Sequence, residues 1–355
     1  MKMTLRWYGS GFDPITLEQI RQVAGVKGVI SSLMSKQAGE VWESDEIFAL
    51  KHEVERSGLE LSGIESVNVS DDIKIGTVKR DEHIENYIET LKNLGDSGIS
   101  LVCYNFMPVF DWTRTDLARQ RADGANVLAY NQEIVNKIDP SNLRDSVKDM
   151  SNGFTMPGWE AERLDKIEEL FEAYSDVTSE DLFNNLVYFL KAIEPVCTKY
   201  GIKMAIHPDD PAWPIFGLPR IITNKEQIIR LLKAVDSPHN SITFCSGSLG
   251  SNPDNDLVEI IHACKGRIPF AHIRNLKHNF PGDFEEAAHW SADGSFDMYA
   301  LVKALFDDGF NGIIRPDHGR MIWGEEAVPG YGLYDRALGA SYLLGLWEAI
   351  AKSSR

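Results

Sequence analysis

Across 355 residues, 36 Lys and Arg face 53 Asp and Glu, a formal charge of −17, and hydrophobic residues make up 43% of the chain. That content supports a large core, and the acidic balance, with no concentrated basic patch, argues against nucleic acid and anionic membrane as partners. Four Cys without paired spacing fit a reducing compartment better than a disulfide framework, and no run of about 18 apolar residues could span a bilayer, so the chain is expected to be soluble and cytoplasmic.

Short β-type runs alternate with longer helical patterns, the signature of βα units and a parallel sheet. Strands are predicted near 4–9, 28–33, 59–66, 100–107, 203–209, 241–247, 268–275 and 312–317. Eight such strands close a (β/α)8 barrel, so the fold class is α/β, with residues 1–355 as one domain. Between them, Ile84, Tyr87, Ile88 and Leu91, and likewise Leu257, Ile260, Ile261 and Cys264, recur at helical spacing and predict helices packed on the barrel. A further helix should follow the capping box Thr178-Ser-Glu-Asp181 and end at Gly201. The last helix, from about Asp335 to Ala351, should close the ring over the first and last strands.

The connection after strand four is anomalous. Residues 108–180 far exceed an ordinary βα loop and contain an amphipathic segment at Leu164, Ile167, Leu170 and Phe171, which predicts a mainly helical insertion. Such an insertion lies on the catalytic face of a barrel and is a candidate lid or homodimer contact.

Strands five to eight end, in order, in His207, Cys245, His272 and Asp317. Each of these types alone is commonest as core or hydrogen-bonded structure, but parallel strands bring their carboxyl ends to one rim, where two imidazoles, a thiolate and a carboxylate suit one cation. The set could hold Zn2+ tetrahedrally, or Mn2+ or Fe2+ with positions open to substrate. His318 follows the carboxylate, and Gly319 could let the chain turn so that His318 faces substrate as an acid or base while Asp317 faces metal. His278 and His289 fall in the long loop after strand seven and face the same rim.

These residues, together with Arg-Trp-Tyr-Gly (6–9), Cys-Tyr-Asn-Phe-Met-Pro (103–108), Asp-Trp-Thr-Arg-Thr-Asp (111–116) and the long segment Arg315–Gly339, closely resemble the mannonate dehydratases over essentially the whole chain. The resemblance implies a TIM barrel of the xylose-isomerase-like kind, a divalent metal, usually Mn2+ or Fe2+, and conversion of D-mannonate to 2-keto-3-deoxy-D-gluconate in hexuronate breakdown. It carries the ligand set onto His207, Cys245, His272 and Asp317, and the catalytic pair onto His318 and Tyr331.

The chemistry agrees with the residue types. Removing a proton beside a carboxylate builds a second negative charge, which a bound cation stabilises; a base must take the C2 proton and an acid must protonate the departing C3 hydroxyl. His318 and Tyr331 are the candidates, with the roles open. An anionic substrate calls for cations, and Arg274, Arg315 and Arg320 lie at strand ends, any of which could instead brace the ligands. Asn105 and Trp7 are candidates for a hydroxyl contact and an apolar wall, and Arg114 for a lid contact. A metal-dependent sugar isomerase is the second reading, though its two-cation, carboxylate-rich site fits poorly with Cys245 and two His. An abasic-site endonuclease conflicts with the acidic charge. A noncatalytic zinc-stabilised carbohydrate-binding protein would have a closed site.

Overall fold

The computed structural model describes residues 1–138 and 166–354. Twelve strands lie in these residues: β1 (Lys2–Arg6), β2 (Val26–Ser31), β3 (Glu60–Glu65), β4 (Leu101–Tyr104), β5 (Asp116–Gln120), β6 (Asn126–Asn131), β7 (Lys203–Ile206), β8 (Asn240–Cys245), β9 (Phe270–His272), β10 (Asn275–Phe280), β11 (Asp283–Ala287) and β12 (Ile313–Arg315). Eight of them, β1, β2, β3, β4, β7, β8, β9 and β12, pair in parallel in chain order and close into a barrel through β12 against β1. All eight lie where the sequence predicted them, to within a few residues.

Two kinds of apolar packing hold the barrel. Ile30, Leu101, Cys103, Ala205 and Phe270 fill its interior, whereas the main core lies between the strands and the surrounding helices. The helix Arg80–Asp96 buries Ile84, Tyr87 and Leu91, as the periodicity requires, and Cys264 is core. Thr178 caps the helix Ser179–Tyr200 through reciprocal bonds with Asp181, both 3.1 Å, and Gly201 ends it in the left-handed conformation. The terminal helix Leu333–Ser353 runs over β1, where Arg336 donates to the Arg6 carbonyl at 2.9 Å. Among the described residues no helix is long and apolar enough to cross a membrane.

The described residues of the insertion after β4 are not all helical. Its described part does contain the helix Ile167–Tyr174, but residues 116–131 form a hairpin, and 139–165, including Leu164, lie outside the described residues. A second hairpin, β10–β11, follows β9, and the two join in one antiparallel sheet of order β10-β11-β6-β5. Arg119 pairs with Asp283 at 3.0 Å and Arg121 with Asp293 at 2.7 Å, fastening the first hairpin to the second and to the turn that follows it. This side sheet stands on the carboxyl end of the barrel and supplies residues to the site beneath it.

Candidate active site

Register places the first contributors. Cys245 pairs with His272 and His272 with Arg315 across β8, β9 and β12, and paired residues of a parallel sheet project to the same side. His207, immediately after β7, joins them: one ligand atom from each of His207, Cys245 and His272 lies within 4.8 Å of the others. Asp317 completes the group, its Oδ2 3.7 Å from the Cys245 sulfur and its Oδ1 3.6 Å from His272 Nδ1. The four residues expected at one rim are therefore together.

Asp317 reaches this position by a turn at its own backbone. Its φ is +58°, whereas Gly319 is not in the left-handed region, so the turn the sequence assigned to Gly319 is made two residues earlier. A Cβ at Gly319 would lie 3.2 Å from Asp335, a tight contact. A non-glycine residue in the left-handed region costs on the order of 1–3 kcal/mol, least for Asp and Asn, and persists only where its surroundings hold it.

The donor set fits a divalent cation. His207 gives its Nδ1 proton to the Pro208 carbonyl at 2.7 Å, which leaves Nε2 as the coordinating nitrogen. Burial acts to lower the His207 pKa, but contact with Cys245 and the nearby carboxylates push it up to about 9. His272, fully buried, is held neutral by burial and by Arg315, and neither of its ring nitrogens makes a hydrogen bond. Buried polar atoms without a partner are costly unless something unseen satisfies them, and a metal ion would satisfy one of these two nitrogens. The Cys245 sulfur accepts from the Ser248 amide at 3.4 Å and hydroxyl at 3.0 Å.

Around the ligands runs a buried charge network. Arg274 contacts Asp317 at 2.8 Å, Asp210 at 2.7 Å and Glu286; Arg315 contacts Glu65 and Asp317, both at 2.7 Å; Arg114 contacts Asp210 at 2.7 Å and Glu286 at 3.2 Å. Three guanidiniums meet four carboxylates, which leaves one negative charge in excess when His207 is neutral, as a metal-bound imidazole is. That excess is what a divalent cation neutralises.

His318 sits beside the cluster with both ring nitrogens engaged, Nδ1 3.1 Å from Glu286 Oε1 and Nε2 3.0 Å from the Tyr331 hydroxyl. Burial, then the charge of Arg274 and the contacts with His318 and Arg114, compete at Glu286, and the cations hold it at about 2. A carboxylate only accepts, so the neutral imidazole carries its proton on Nδ1 and turns the Nε2 lone pair toward Tyr331. Burial raises the Tyr331 pKa well above its ordinary value and keeps the phenol protonated.

One cavity is walled by His207, Asp317, His318 and Tyr331, and also by Asn105, Arg274 and Arg315. The other expected contacts sit elsewhere. Trp7 is packed in the barrel core with its indole donating to the Ile15 carbonyl, and Arg320 is clamped on Asp335, so neither lines the cavity. Arg114 is fully buried in the charge network and is no lid contact. Arg274 and Arg315 do line the cavity but are each paired with protein carboxylates, which is a bracing role. His278 and His289 bond to the carbonyls of Gly250 and Pro316 and stay behind the wall.

Two residues escaped the sequence reading. Glu286 lies in Asp-Phe-Glu-Glu-Ala (283–287), an acidic run that resembles a solvated surface and gives no local sign of burial. Arg6 lines the cavity, donates to the carbonyls of Trp7 and Ile30 at 2.8 and 3.2 Å and stacks on Tyr8 at 4.4 Å. Among the described residues no carboxylate is within ion-pairing distance of it. Its place in the Arg-Trp-Tyr-Gly motif was the available signal.

A family model described as D-mannonate dehydratase (UxuA) matches residues 1–355. The chain belongs to the D-mannonate dehydratase family. It is accordingly an enzyme of the hydro-lyase class. A mannonate dehydratase of Brachyspira hyodysenteriae is 61% identical over 355 residues, covering 100% of both chains. The crystal structure of mannonate dehydratase from Streptococcus suis serotype2 superposes with a TM-score of 0.90 at 44% identity, covering 100% of this chain and 96% of that one. A xylose isomerase domain protein from Planctomyces limnophilus, 11% identical, shares the barrel with a TM-score of 0.56 over 99% of this chain and 98% of that one. Family membership sets aside the isomerase, endonuclease and binding-protein readings.

The depressed Glu286 value predicts an acid-sensitive contribution to stability. Because the folded-state value, about 2, lies below the ordinary 4.5, the stabilisation is complete above about pH 4.5 and is lost as pH falls through 2. In urea unfolding at a series of pH values, Glu286→Gln should be less stable than the unsubstituted chain at neutral pH by on the order of 3 kcal/mol, with the gap narrowing toward pH 2. Stability curves that run parallel would contradict this assignment.

Proposed function

We propose that the chain dehydrates D-mannonate to 2-keto-3-deoxy-D-gluconate, a step of hexuronate breakdown, using one divalent cation, Mn2+ or Fe2+, held by His207, Cys245, His272 and Asp317. The reading rests on one observation above all: the hydrogen-bonded pair His318–Tyr331 opens into the cavity that His207 and Asp317 of this cluster also line. When bound, such a cation supplies electrophilic stabilisation of the charge that develops beside the substrate carboxylate.

The chain's own residues handle the protons. Glu286 fixes the His318 tautomer, so Nε2 is the base that takes the C2 proton. Tyr331, protonated and 3.0 Å away, gives its proton to the C3 hydroxyl, which leaves as water. Nε2–H then returns the proton to the tyrosinate across the same hydrogen bond, and the enol product takes a proton at C3 as its C2 hydroxyl becomes the ketone. Arg6 supplies the cation for the anionic substrate, because Arg274 and Arg315 are committed to the protein's own carboxylates. Asn105, whose amide donates to Asp111 at 3.0 Å, is placed to meet a substrate hydroxyl.

Stripping the metal should abolish turnover of D-mannonate, and anaerobic addition of Mn2+ or Fe2+ should restore a 2-keto-3-deoxy product; no product with either metal would sink the proposal. His318→Ala should lower kcat by about 100-fold or more, the usual contribution of a general base, with metal content unchanged. Near-normal turnover would remove His318 from the chemistry. Arg6→Gln should raise KM about tenfold or more with a smaller effect on kcat, as loss of a charged hydrogen bond predicts. An unchanged KM would assign Arg6 to bracing β1 and β2.

A further inference from the structure

His289 belongs to no part of the mechanism, yet it is buried and pointed at the backbone that carries Asp317. It lies just beyond β11, and its Nε2 is 2.6 Å from the carbonyl oxygen of Pro316. On either side of it, the Arg315 carbonyl accepts from Ile273 at 3.0 Å, Pro316 has no N–H, and the Gly319 amide donates to Gly330 at 2.8 Å. The Pro316 carbonyl would be bare without the imidazole. Its peptide plane is also the one whose orientation sets the φ of Asp317, which stands at +58°.

We propose that His289 is a positioning residue for the metal site: by holding the Pro316 carbonyl it locks the left-handed turn that aims Asp317 at Cys245 and His272. The inference rests on the assignment of those residues as metal ligands. Burial keeps the His289 imidazole neutral, and since a carbonyl only accepts, its single N–H is on Nε2. The ring is held in turn by the terminal helix. A Cβ at Gly339 would come within 2.5 Å of His289 Nδ1 and Cε1, so only glycine leaves the ring where it is. This explains a glycine inside a helix, where Ala is the better helix former. His289 therefore links the helix Leu333–Ser353 to the carboxylate ligand without touching cavity or cation.

The test is Mn2+ affinity of the metal-stripped, full-length protein, read by electron paramagnetic resonance of free Mn2+, independent of turnover. His289→Ala should weaken binding about tenfold or more, the usual effect of losing a group that orients a ligand. Gly339→Ala, which touches neither ligand nor cavity, should weaken binding in the same direction by displacing the ring. His289→Gln, whose amide N–H can reach the carbonyl, should bind as the unsubstituted chain does. Unchanged affinity in His289→Ala, or equal weakening by Gln and Ala, would overturn the proposal. Failure of the unsubstituted protein to bind Mn2+ would overturn the metal assignment and this inference with it.

Discussion

Arg274 is the joint on which the site depends. Its guanidinium, fully buried, touches Asp317 from the eighth barrel strand, Asp210 from the loop after β7 and Glu286 from the side sheet. Burying one charge is prohibitive, and burying a network is tolerable only if each member is paired. The carboxylates converge because the arginine is there, and it is sheltered because the side sheet covers it. Such a network adds little net stability compared with an apolar filling, but removal of one member strands the others, so it fixes geometry.

The barrel and the side sheet divide the labour accordingly. Parallel strands in register bring Cys245, His272 and Arg315 into one row, which is a property of the barrel alone. Orientation of His318 is a property of the side sheet, since β11 supplies the carboxylate on Nδ1. The strained backbone of Asp317 lies at the meeting point, with Arg315 and Arg274 on its side chain and His289 on the preceding carbonyl. Strain of this kind survives only where several contacts over-determine it.

Much of this was legible in the chain. Strand positions follow from short apolar runs, helices from 3.6-residue spacing and capping signals, and the proposed ligand set from polar residues that end consecutive runs. The side sheet was not legible. Its hairpins, at 116–131 and 275–287, pair only across more than a hundred residues, and each alone reads as loop or surface. Glu286 illustrates the difficulty: acids in a polar run look solvated until Arg114 and Arg274 are seen beside them.

The arginines mark the boundary between the two kinds of information. Sequence alone determined the barrel, the convergence of His207, Cys245, His272 and Asp317 on one rim and the presence of cationic side chains there, because each depends on local pattern and strand order. Which guanidinium lacks a carboxylate partner among the described residues could be decided only by the tertiary structure, since such partners come from distant elements. Arg274, Arg315 and Arg320 are each occupied by carboxylates, while Arg6 faces the cavity with carbonyls and an aromatic ring for neighbours. The direction in which Asp317 points was likewise settled by its surroundings, because a left-handed turn at a non-glycine residue is imposed by contacts that local sequence does not contain.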